Sequence, residues 1–270
     1  MHEPATDLAA AGRAMPRFNA MGVATLVRME LRRSLDGWHY AVLAPVLTTL
    51  LFFAVFALAL GETREQVMGV PFFHFLAPGL VAMTALSTAF EAAGWSSIDA
   101  KVTGTMDVLL AAPLRPGELV AGFLIAAVCL ATINGMLVAL CMQPFVPLLP
   151  AAALEALASL LLGSTIFAAI GLLAGIGASK FDHVATVQNF LVAPAVFLSG
   201  AFFPVAGYGA PLTQVMEANP AFWAIDGVRR GFLGSGESDG ALTLPLLAAV
   251  TLAAVLLARH AVAKGWKLKR

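Results

Sequence analysis

A row of apolar stretches, each long enough to cross a bilayer, constrains this chain more than any other feature. A helix rises about 1.5 Å per residue and membrane hydrocarbon is about 30 Å thick, so the stretch 40–60 spans it almost unaided. Lipid offers no partner to a free backbone amide or carbonyl, so such stretches fold as helices. Six are readable, over 40–60, 73–94, 118–142, 154–177, 184–203 and 242–259. Sixty percent of the 270 residues are hydrophobic and 12% are charged, about half the charged share of a soluble domain. The expected class is therefore an all-α polytopic membrane protein with six transmembrane helices.

A formal net charge of zero conceals a polarity in where the charges lie. Arg13, Arg17, Arg28, Arg32 and Arg33 precede the first span, and Arg259, Lys264, Lys267, Lys269 and Arg270 close the chain. With Lys101, Arg115 and Lys180 in connections on the same side, 13 of the 16 basic residues share one face, leaving Arg64, Arg229 and Arg230 on the other. The positive-inside rule then places both termini in the cytoplasm. The polar first 36 residues show no basic, apolar, small-residue cleavage pattern, so the first span is expected to be retained.

The expected organisation is a flexible tail over 1–20, an interfacial helix over 21–38 and a six-span domain over 39–270. The interfacial helix places Val23, Val27, Leu31, Leu35 and Trp38 on one face and Arg28, Arg32, Arg33 and Asp36 on the other. A soluble helix with an ordinary packed stripe is the alternative. Between spans two and three, 101–112 repeats Val102, Met106 and Leu109 at helical spacing, predicting a short amphipathic helix that Pro113 stops. It either receives a push from a soluble partner or covers the inner end of the bundle. The outward stretch 204–240 is apolar in its first half and interrupted by Pro204, Pro211 and Pro220. Asn219-Pro220 reads as a helix start and Gly234 as its stop, with Asp226 three and four residues before Arg229 and Arg230. Helices dipping into the outer leaflet are expected there, an ordinary surface loop being the alternative.

Catalytic and metal chemistry find no support. His2, His39, His74, His183 and His260 are scattered, no Ser/His/Asp arrangement is readable, and Cys129 and Cys141 stand about 18 Å apart on one helix. Gly175-Ile-Gly-Ala-Ser-Lys180 lacks the spacing of a phosphate-binding loop, so ATP and its Mg would sit on another polypeptide and this chain would bind no cofactor. No nucleic-acid partner is expected.

Three segments together resemble a known family, the ABC-2 type exporter permeases: Leu76-Ala-Pro-Gly-Leu80, Gly104-Thr-Met-Asp-Val-Leu-Leu-Ala-Ala-Pro113, and Phe197-Leu-Ser-Gly-Ala-Phe-Phe-Pro204 with Asn219-Pro220 and Arg229 downstream. The resemblance runs from about 29 to 234; Leu212-Thr213 departs from the aromatic residue that family members often carry after the proline. It implies an exporter permease in a bacterial inner membrane, paired with a second permease copy and a separate ABC ATPase subunit, amid membrane lipids. It implies that the helix with Val102, Met106, Asp107 and Leu109 is the ATPase-coupling contact, flanked by the N-terminal helix and the loop 178–183. It implies a path lined by spans two and five, for which Thr84, Ser87, Thr88, Gln188 and Asn189 are the polar candidates. Phe203, Pro204, Asn219, Pro220, Asp226, Arg229 and Arg230 are the candidates for an outer re-entrant lid. Glu91 is an intramembrane carboxylate, although close enough to the cytosol to reach water, and Asn134 lies mid-span. Gly171 and Gly175 form a GxxxG packing pattern. The substrate implied is amphipathic, lipid-linked or hydrophobic. An ion-coupled transporter would show an inverted repeat and midplane charge pairs, which are not found; a non-transporting scaffold is the remaining rival.

Overall fold

The computed structural model describes residues 18–60, 66–205 and 209–267. Most of the expected tail, with Arg13, Arg17, Arg64, Lys269 and Arg270, lies outside them. Helix α1 (Ala20–Asp36) starts at Asn19, whose side chain accepts the Gly22 amide. It docks on α5 (Pro116–Met142), where Gly122 lets the Leu26 side chain come close, and its buried residues are Val23, Leu26 and Glu30. The expected stripe thus divides between two tasks. Val23 packs inward, while Leu35 and Trp38, 46% and 48% exposed, stay on the outside of the bundle.

Five helical runs among the described residues are long and apolar enough to cross a membrane. They are the π-turn His39–Leu43 with α2 (Ala44–Leu60), then α3 (Phe72–Val102), α5, α6 (Ala153–Gly177) and α11 (Gly240–Ala263). Helix α3 is the axis of the bundle: 83% of its apolar window is buried against 17% for the first and last runs, which therefore present most of their surface to lipid. It packs on α6 through glycine. A Cβ at Gly171 would strike the Phe90 carbonyl, and one at Gly175 the Gly94 carbonyl, so the GxxxG face brings two backbones together.

The expected span 184–203 is a shorter, broken run. Helix α7 (Phe181–Val187), the π-turn Gln188–Val192 and α8 (Ala193–Phe197) together reach about 25 Å, and the chain turns away at Gly200 with φ 75. Hydropathy runs past that helix end because Phe202 and Phe203 stay apolar by packing on Phe56. Conversely, α3 continues to Val102, eight residues beyond the expected 94, since Ser96, Asp99 and Lys101 lower hydropathy without breaking a helix. A two-residue ladder, β1 (Gln66–Val67) with β2 (Val70–Pro71), interrupts the otherwise helical fold.

The contacts define two ends of the bundle. At the basic end Asn19 meets Glu118, Arg33 meets Asp99, and Trp266 lies over Gly177. Lys101, expected on a loop, instead ends α3 and is buried; its Nζ donates to the Ile176 and Ala178 carbonyls at 2.7 Å each, satisfying the exposed end of α6. At the far end the backbone of Ala152 donates to Gly231 on α10 (Pro220–Leu233).

Glu30 fixes α1 to the core, held by Arg33 at 2.5 Å and by the Ser96 hydroxyl. Burial pushes its carboxyl above the ordinary carboxylate value, outweighing the Arg33 guanidinium that pulls it down. A folded-state value above the unfolded one means that protonation favours docking, so the helix sits most firmly at low pH and loosens as pH rises through the folded value. Amide hydrogen exchange across α1, corrected for intrinsic rate, should show greater protection at about pH 5 than at about pH 7. Glu30→Gln should erase the difference.

Candidate functional site

Between α2, α3 and α8 lies a cavity of about 380 Å³, and a second of about 370 Å³ continues it toward the basic end. Tyr40, Thr88 and Glu91 line both, so the two form one groove running from Arg33 to Phe197. Of the polar residues singled out in the sequence, Thr84, Ser87, Thr88 and Gln188 line it. Asn189 does not: it is exposed on another face of its turn. The Thr49 and Thr84 hydroxyls stand 2.6 Å apart, each within reach of a carbonyl one turn back in its own helix; one donates to the other and the other to its helix carbonyl, so both protons of this polar wall are used within the protein.

The groove is shaped by two prolines. Pro45 and Pro194 each lack an amide hydrogen and crowd the carbonyl four residues earlier, and each follows a widened turn, His39–Leu43 and Gln188–Val192. The carbonyl that Pro45 leaves without a helical donor is that of Ala41. Asn134, fully buried on α5, supplies the substitute: its Nδ2 donates to Ala41 at 2.8 Å and to the Thr88 hydroxyl at 3.1 Å. On the other wall Gln188 donates to Glu91 Oε1 at 2.9 Å. The widened turns thereby carry Tyr40 and Gln188 into the groove from opposite sides. Sequence reading missed Tyr40 and Trp95 because an aromatic near a span end reads as an interfacial anchor; the paired Ala-Pro steps at 44–45 and 193–194 were the available signal.

At the far end Asn219 caps α10 by accepting the Ala221 amide, Pro220 opens the helix and Gly234 closes it in a left-handed conformation, as the sequence predicts. The ion pair expected there is more deeply placed than the spacing implies. Asp226 and Arg229 are both 0% exposed, and Glu237 joins them as a third member that sequence reading missed. Arg229 stacks on the Phe75 ring at 3.9 Å and donates to the Gly200 carbonyl at 2.6 Å, while Asp226 and Glu237 stand 3.7 and 3.6 Å from its Nη1. Asp226 also accepts the Glu237 and Ser238 amides at 2.9 Å each and pairs with Arg230 at 3.3 Å. Glu237 accepts the Val205 amide, one residue past Pro204, at 2.6 Å. One cluster thus ties α10 to α3, to the 198–205 turn that includes Phe203, and to the 235–239 turn.

At the basic end α4 (Thr105–Ala111) lies across the bundle with its apolar side down. Met106 is 1% exposed under Leu119, Phe123, Leu172 and Val262, so it anchors the helix and cannot itself be the partner contact expected of it. Leu109 is half-buried beside it, and Val102 belongs to the end of α3. The amphipathic stripe is present, and its apolar side packs on this chain's own core, as the covering role that the sequence left open requires. The outer side offers Asp107, Val108 and Leu110, with Val108 69% exposed. Phe181, at the start of α7, stacks on Trp95 at 5.9 Å.

Among the described residues no group of His, Cys, Asp and Glu could hold a metal, and the thiols of Cys129 and Cys141 are free. A family model described as ABC-2 type transporter matches residues 21–233. The chain is 27% identical over 240 residues to the inner membrane transport permease YadH of Escherichia coli (strain K12), covering 89% of this chain and 94% of that one. It is 29% identical over 246 residues to Nodulation protein J of Rhizobium leguminosarum bv. trifolii, covering 85% and 91%. The helical bundle, its long groove and a match extending from α1 to the end of α10 agree: the chain belongs to the ABC-2 type transporter family, as the transmembrane component of an ABC transporter in an inner membrane.

Proposed function

We propose that this chain is the permease of an ATP-driven exporter, with both termini cytoplasmic, six spans counting the broken run 181–197, and a separate ATPase docked at the basic end. Two copies pair, and an amphipathic, lipid-linked or hydrophobic substrate moves outward along the groove. The observation that carries this reading is the groove itself: hydroxyls, a carboxamide and one carboxylate on apolar walls, running from Arg33 to Phe197. The charge asymmetry supports the orientation. The buried Asp226–Arg229–Glu237 cluster supports a lid at the far end, because it holds the 198–205 turn and α10 as one piece.

The coupling route follows from α4. A force on its exposed side reaches α5, α6 and α11 through Met106, and Lys101 joins the ends of α3 and α6, so the push is delivered to the helices that back the groove. Val108→Asp tests this. The side chain is exposed, so the permease should reach the membrane at normal levels, whereas a carboxylate pressed into an apolar partner surface costs several kcal/mol and should remove co-purifying ATPase. Met106→Asp should instead lower the yield of the permease itself. Unchanged ATPase recovery and unchanged substrate-stimulated hydrolysis with Val108→Asp would remove α4 from the contact.

A further inference from the structure

We infer that the groove at Glu91 is a binding site for the protonated amine or quaternary ammonium group of an amphipathic molecule. This deepens the transport reading above and rests on it for the direction of movement, but not for binding. Glu91 lies on the apolar part of α3, three residues before the span's expected end at 94, and it lines both halves of the groove. A carboxylate in a span is kept only where it meets a partner or a cavity. Gln188 holds one of its oxygens, and among the described residues no ion pair reaches it. The single basic residue lining either cavity is Arg33, and its guanidinium is already engaged by Glu30 and Asp99, two carboxylates to one cation. The groove therefore holds an excess of negative charge with Glu91 at the junction of its two halves.

The walls suit a cation with apolar substituents. Tyr40, Phe52, Trp95 and Phe197 supply aromatic surface on both sides of the carboxylate, the combination that holds alkylammonium groups. Each half has the volume of a small-ligand site, so a charged head at Glu91 leaves room for chains extending either way. An anionic head would face the Glu91 carboxylate and a guanidinium that Glu30 and Asp99 already occupy. A neutral one would leave the carboxylate without its counter-charge.

The test uses the full permease, without ATPase, in nanodiscs of phosphatidylcholine alone. The probes are a dansyl-labelled dodecyl trimethylammonium and its neutral counterpart with a hydroxyl in place of the ammonium, and binding is read as saturable energy transfer from the protein's tryptophans. The wild type should bind the cation at least about tenfold more tightly than the neutral probe. Glu91→Gln, which retains an acceptor for Gln188, should cut cation affinity about tenfold or more and leave the neutral probe unchanged. Tyr40→Ala, at an exposed position, should weaken the cation alone by about threefold or more, giving a variant that does not depend on the carboxylate's packing. Equal binding of both probes by the wild type, or a cation preference that survives Glu91→Gln, overturns the assignment. Because the ATPase is absent, cation preference without any ATPase pairing would count against the transport reading only, and pairing without preference against this inference only.

Discussion

Arg229→Met should lower the stability of the folded permease by about 3–5 kcal/mol, seen as a lower melting temperature in detergent and a smaller membrane yield. Its guanidinium compensates Asp226 and Glu237, which are buried with it. Removing the cation takes a shared counter-charge from two buried carboxylates, Asp226 keeping Arg230, and a buried charge that loses its counter-charge is far costlier than a neutral replacement of the whole group. The triple variant Arg229→Met, Asp226→Asn, Glu237→Gln should therefore recover part of the loss, a non-additivity expected of side chains in direct contact. An exposed pair would give effects of about 0–1 kcal/mol that simply add. If the single and triple variants melt together, the cluster does not hold the far end.

Gly171→Val should be nearly as severe. Any Cβ there collides with the Phe90 backbone, which cannot rotate away as a side chain can, so α3 and α6 must separate along their shared face. The loss should lie at the upper end of, or beyond, the roughly 1–3 kcal/mol of ordinary overpacking. Gly209→Ala, where a Cβ meets nothing within 4 Å among the described residues, should leave the melting temperature within error and serves as the reference.

Much of the architecture was legible because membrane insertion depends on hydropathy, and hydropathy is a one-dimensional property of a chain. Five spans, the cap at Asn219-Pro220 and the stop at Gly234 follow from local chemistry alone. What was not legible is which way side chains face. Helices α3, α5 and α6 are apolar all round, so no stripe tells the core from the lipid, and Met106 on α4 could equally have pointed at a partner. Burial depth was hidden for the same reason: the spacing of Asp226 and Arg229 permits a pair but says nothing of Phe75, Gly200 or Glu237, which come from distant segments. In the groove, the hydroxyls of α3 were found because polar atoms in a span are rare. Asn189 could not be told from Gln188 by polarity alone: both belong to the widened turn, and only Gln188 lines the groove.

Those widened turns also bear on how the chain tolerates change in length. An α-helix advances about 100° per residue, so each turn holds one residue whose removal would restore ordinary winding while rotating all that precedes it by more than a quarter of a circle. The two turns face each other across the groove and act as indexing points: the lipid-facing surfaces beyond them keep their angular setting while Tyr40 and Gln188 are aimed independently. Relatives that gain or lose one residue at either point would keep the same spans in the same bilayer and present a differently clocked lining to whatever passes between them.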